Sequence, residues 1–90
     1  MNGVQLKEGF ILRKLLGNNM VMPTSANLRD FRGALMLNDT AAFIFEQFQR
    51  GSSVDDAVQA LMAEYEVTAE KAREGVLQTI DSLTEAGVLK

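Results

Sequence analysis

The sequence predicts an α+β domain, winged helix-turn-helix-like, with three N-terminal antiparallel strands followed by three helices. Three observations predict it. Residues 1–37 hold three short apolar runs separated by turn-forming residues. Residues 39–86 hold three blocks of apolar residues at helical spacing, each behind a capping residue. The chain has 90 residues, enough for a single domain over 1–90 and no second one.

Phe10–Leu15 reads as the first strand. Leu16-Gly17-Asn18-Asn19 reads as the turn, because Gly and Asn tolerate positive φ. Met20-Val21-Met22 returns as the second strand, and Pro23 ends it because proline cannot donate to a ladder. A polar stretch, Thr24–Asp30, leads to Phe31–Leu37 as a short third strand. Asn38 or Asp39 caps the first helix, whose stripe is Ala41, Ile44, Phe45 and Phe48. Ala42 and Phe43 lie off that stripe, so this helix is expected to be covered on more than one side. Gly51 stops it. Ser53 caps the second helix, with Val54, Ala57, Val58, Leu61, Met62 and Tyr65 as its apolar face. Thr68 caps the third, with Ala69, Ala72, Val76, Ile80 and Leu83 as its core stripe and Gly87 as its end.

Composition removes several function classes. There is no Cys, hence no disulfide, thiolate ligand or thiol nucleophile. There is no His, which removes the commonest general base and zinc ligand. The carboxylates of the third helix, Glu70, Glu74, Asp81 and Glu85, follow a solvated face rather than a paired acid–base site. Gly17 and Gly33 are isolated and make no phosphate loop, and no loop has calcium-ligand spacing. No cofactor, no metal and no catalytic residue is therefore expected. No apolar run approaches the ~20 residues of a membrane span, and the N-terminus has no secretion-signal pattern, so a cytoplasmic protein is expected.

Net charge is −3. A winged helix raises DNA binding or a role as a transcriptional accessory as the alternative function. Its recognition helix would be residues 68–86, where Lys71 and Arg73 face Glu70, Glu74, Asp81 and Glu85, two cations against four anions. Phosphates would repel that helix, so nucleic acid is not an expected partner.

The third strand carries more information. Ala34-Leu35-Met36-Leu37 is short, apolar and preceded by a polar loop, as an edge strand would be. An edge presents unpaired N–H and C=O groups and accepts an extended peptide as a further strand. The same edge can pair with a second copy, so a homodimer stays open. On the third helix a second row runs beside the core stripe: Arg73, Leu77, Ile80, Asp81 and Thr84. An apolar Leu77 flanked by charges of both signs suits the wall of a peptide groove. The commoner alternative is that Leu77 is simply exposed or packs on the strands.

Leu37-Asn38-Asp39-Thr40-Ala41-Ala42-Phe43-Ile44-Phe45 resembles the L-N-x-T-x-A segment of the PqqD family. Tyr65-Glu66-Val67-Thr68 leading to Ala72, the run from Leu83 to Gly87-Val88-Leu89, and the hairpin with Phe10, Arg13 and Pro23 also fit, so the resemblance spans about residues 6–89. It implies a non-catalytic peptide chaperone. Members bind the leader of a ribosomally synthesised precursor peptide and present it to a modifying enzyme, often a radical S-adenosylmethionine protein, as in pyrroloquinoline quinone biosynthesis. It implies backbone pairing of the leader with Ala34, Leu35 and Met36, continuing to Leu37, and a helix wall of Arg73, Leu77, Ile80 and Asp81. Ala41 stands where many members carry Gly, and Phe45 where many carry Trp. Those departures point to a leader-recognition module of some other peptide-modification cluster.

Overall fold

A computed structural model describes residues 4–7, 9–24 and 35–89. Three strands, β1 (Phe10–Leu15), β2 (Asn18–Pro23) and β3 (Leu35–Leu37), precede three helices, α1 (Asp39–Gln49), α2 (Val54–Glu64) and α3 (Ala69–Glu85). The sheet is antiparallel in the order β1-β2-β3. The expected third strand is thus seen from Leu35 onward; its Phe31–Ala34 portion, including the site residue Ala34, lies outside the described residues.

The period of two sorts the sheet into faces. Register pairs Leu12 with Val21 and Val21 with Leu35, so these point to one side with Phe10 and Leu37. Phe10, Val21 and Leu37 are buried there against the helices. Ile11, Leu15 and Met36 alternate to the other side and are exposed.

The hairpin turn is tighter than the sequence suggests. Asn18 and Asn19 belong to β2 and pair with Leu15 and Lys14, while Pro23 still pairs with Phe10 as the last residue of β2. The turn itself is Leu16-Gly17, with φ of 52° and 82°. Two positive φ values are what a two-residue type I′ turn needs, because its twist matches that of the strands. Leucine meets that demand poorly, since its Cβ crowds the neighbouring carbonyl in the left-handed region. Leu16 has no packing to offset this, being 101% exposed. Leu16→Asn is therefore expected to raise the thermal midpoint by a few degrees, as read by circular dichroism. An unchanged or lowered midpoint would show that the turn is not under this strain.

Each helix begins on the cap its sequence offers. Asn38 Oδ1 accepts from the Ala41 N–H at 2.7 Å, Ser53 Oγ from Asp56 at 3.0 Å and Thr68 Oγ1 from Lys71 at 3.1 Å. These bonds satisfy N–H groups that a helix start leaves without partners. Asn38 is thus the cap of α1, and Asp39 lies in its first turn. Gly51 and Gly87 follow the ends of α1 and α3 with positive φ.

Helix α1 packs against β3, α2 and α3, and so is covered on several sides. Ala42, Ile44, Phe45 and Phe48 are buried, and Phe43 makes an edge-on ring contact with Tyr65, centroids 5.8 Å apart. Helix α2 buries Ala57, Val58 and Leu61, whereas Met62 is exposed. Helix α3 buries Ala72, Val76, Thr79 and Leu83. Ala69 is exposed and Ile80 only partly buried, so the core face is rotated from the expected stripe toward Thr79. The chain after α3 returns to the N-terminal segment: Lys7 N–H donates to Val88 O at 2.7 Å and Leu6 bridges Leu89. No described helix is long and apolar enough to cross a membrane.

Candidate functional site

β3 pairs with β2 on one side only among the described strands. In an antiparallel pair alternate residues direct their N–H and C=O toward the neighbour and away from it. A strand with one neighbour therefore keeps an outward row of donors and acceptors. Met36, at the centre of β3, is 53% exposed.

The position of β3 is secured at its far end. Asn19 is buried, and its side-chain amide donates to Leu37 O at 3.2 Å and to Asp39 Oδ1 at 2.8 Å. One side chain of β2 thus ties the end of β3 to the first turn of α1. The motif Leu37-Asn38-Asp39-Thr40 supplies in succession a core residue, a helix cap, the acceptor for Asn19 and a wall of the neighbouring cleft.

That cleft has a volume of about 360 Å³ and separates β3 from α3. Met36, Leu37, Asn38, Thr40 and Ala41 line one side, and Gly75, Gln78, Thr79 and Ser82 the other. Among the described residues no charged side chain lines it. The volume lies at the lower end of the range for ligand pockets, which suits one or two amino-acid side chains. Thr79 Oγ1 donates to Gly75 O at 2.8 Å, so its hydroxyl is engaged within the helix.

The two proposed halves of the site fall differently. Leu35, Met36 and Leu37 form the edge strand, and Met36 and Leu37 reach the cleft. Arg73 and Leu77 sit two residues out of step with Gly75 and Thr79, which is about 200° around a helix, so they lie on the far side of α3 from the cleft. Asp81, one residue from Ser82, is turned about 100° from it, onto the flank of the helix, and does not line the cleft. Arg73 instead turns to α2, where its guanidinium meets Asp55 at 2.9 Å. Leu77 is 48% exposed, and Ile80 packs at the margin of the core. The structure thus does not bring the expected helix row together with β3. Gly75, Gln78, Thr79 and Ser82 take that place, and sequence reading did not single them out. The signal available was Gly75, a glycine inside a long helix that costs roughly 1 kcal/mol relative to alanine.

The cations of α3 are both beside acids: Arg73 at Asp55, and Lys71 Nζ at 3.7 Å from Glu74. The helix offers phosphates no unopposed charge, in keeping with its net negative balance.

Comparison with known proteins follows this geometry. Residues 11–89 match the family described as coenzyme PQQ synthesis protein D (PqqD). A search of curated proteins gave no match. Among solved structures, the fold resembles that of TbiB1 in complex with the TbiA(β) leader peptide. The TM-score is 0.75 at 13% identity, over 96% of this chain and 94% of that one. It also resembles lasso peptide synthetase B1 complexed with its leader peptide. There the TM-score is 0.74 at 26% identity, over 96% of this chain and 95% of that one. With the family match running from β1 to the last described residue, the chain belongs to the PqqD family.

Proposed function

We propose that this protein binds the leader of a ribosomally synthesised precursor peptide as an added strand on β3 and presents it to a modifying enzyme. The observation that carries this reading is that β3, which among the described residues pairs on one side only, lies beside a cleft whose described lining is uncharged. Main-chain hydrogen bonds to Leu35–Leu37 would supply affinity, and alternate side chains of the added strand would enter the cleft to supply selectivity. Family membership and the two leader-bound neighbours support it.

The protein then acts as a carrier with no chemistry of its own, and its enzyme partner is a radical S-adenosylmethionine protein or another peptide-modifying enzyme. Ala41 and Phe45, where the family often has other residues, favour a peptide pathway apart from quinone synthesis. The leader wall on α3 is Gly75, Gln78, Thr79 and Ser82, the row that faces β3.

The test is a titration of isotopically labelled protein with a cognate precursor leader peptide. Amide signals of Leu35–Leu37 and of residues 75–82 are expected to move together. Shifts confined to α2, or none at all, would overturn the reading.

A further inference from the structure

Gly75 lies well inside α3, where glycine is a poorer helix former than alanine. Three reasons commonly hold a glycine in place: a positive φ, a backbone crossing close by, or a side chain packed where Cβ would be. None applies at Gly75. Its φ is not in the left-handed region, as it is at Gly9, Gly17, Gly51 and Gly87. A Cβ built on it meets nothing within 4 Å among the described residues. The position opens instead into the cleft beside β3, which Met36 and Thr79 also line.

We infer that Gly75 is the specificity-determining residue of the leader site, leaving room over α3 for one large uncharged side chain of the bound strand. The inference rests on the strand-addition reading and extends it to the chemistry of the peptide. The space has a definite character. Met36, Leu37 and Ala41 give it apolar surface, and Asn38, Gln78 and Ser82 give it neutral polar groups. An aliphatic or aromatic side chain carries no charge to be desolvated there and gains contact with the apolar part of the lining. A carboxylate or ammonium group would be desolvated with no counter-charge among the described lining residues to meet it. A small side chain would leave the space over Gly75 unfilled and forgo its contacts.

The probe is a library of random twelve-residue peptides displayed on phage, selected in parallel against the full-length wild type, Gly75→Ala and Gly75→Leu. The wild type is expected to enrich a large aliphatic or aromatic residue at one position. Gly75→Leu fills the space from the protein side, so it is expected to enrich Ala, Ser or Gly at that position. It should bind the wild-type winner about tenfold or more weakly, as overpacking does elsewhere. Gly75→Ala is expected to melt several degrees higher than the wild type yet bind that winner more weakly, a split that a purely structural glycine would not produce. If wild type and Gly75→Leu enrich the same residues, or if Gly75→Ala binds as well as the wild type, the inference is overturned and strand addition stands. If peptides selected by the wild type leave the Leu35–Leu37 amide signals unmoved, strand addition itself fails and takes the inference with it.

Discussion

Phe45→Ala is expected to remove a large part of the stability of the domain. Phe45 is fully buried and is the largest such side chain among the described residues. It sits in the core cluster on α1, the helix that meets β3 and both other helices. Truncating a buried phenylalanine to alanine costs about 3–5 kcal/mol, through lost transfer energy and the cavity left behind. A chain of 90 residues has a total of roughly 5–13 kcal/mol to lose. The thermal midpoint should therefore fall by on the order of 20 °C, and urea unfolding should show a lower midpoint at an unchanged slope. A loss no larger than that of a surface substitution would mean that the N-terminal residues Val4–Lys7, Gly9 and Phe10, which line a cleft against Phe45 and Phe48, collapse into the space. Phe45→Leu separates the two cases, because it keeps most of the apolar volume and should cost much less.

Local chemistry made most of this fold legible in the sequence. Asn38, Ser53 and Thr68 each stand three residues before the amide they cap, and spacing alone reveals that. Phe45, Val76 and Leu83 follow the helical period and are buried. The turn is two residues shorter than expected because Asn18 and Asn19, which tolerate positive φ and read as turn, pair in β2 with Leu15 and Lys14, leaving Leu16 and Gly17 as the turn. Strand twist and register prevailed over the local preference of these residues. The bridge between Leu6 and Leu89 joins the two ends of the chain, and no local pattern announces so distant a pairing.

The site divides along the same line. The edge strand was legible because an isolated apolar run next to a helix cap is a local signal. Which flank of α3 faces that strand was not, because it depends on how three helices stack. Leu77 drew notice as an apolar residue off the core stripe, yet an exposed leucine is ordinary on a folded surface. Gly75 and Ser82 carry no hydrophobic signal, and only the assembled fold sets them opposite β3.

That division sets up the second large effect. Ser82→Glu is expected to weaken leader binding about a hundredfold while leaving the fold intact. Ser82 is exposed and lines the cleft, so in the free protein the new carboxylate stays in water and stability should change by about 0.5 kcal/mol or less. An added strand would strip that water away, and the described residues lining the cleft include no cation to replace it. Desolvating an unpaired charge costs several kcal/mol, enough for a hundredfold loss. Leu77→Asp serves as the counterpart, placing the same charge on the far side of α3, where binding should hardly change. Fluorescence anisotropy with a labelled leader reads both, and circular dichroism checks the fold. The reverse pattern, with Leu77→Asp weakening binding and Ser82→Glu tolerated, would place the peptide against the Arg73–Leu77–Asp81 row. The leader would then run along the outer flank of α3, near the Arg73–Asp55 ion pair, and pairing with β3 could not position it.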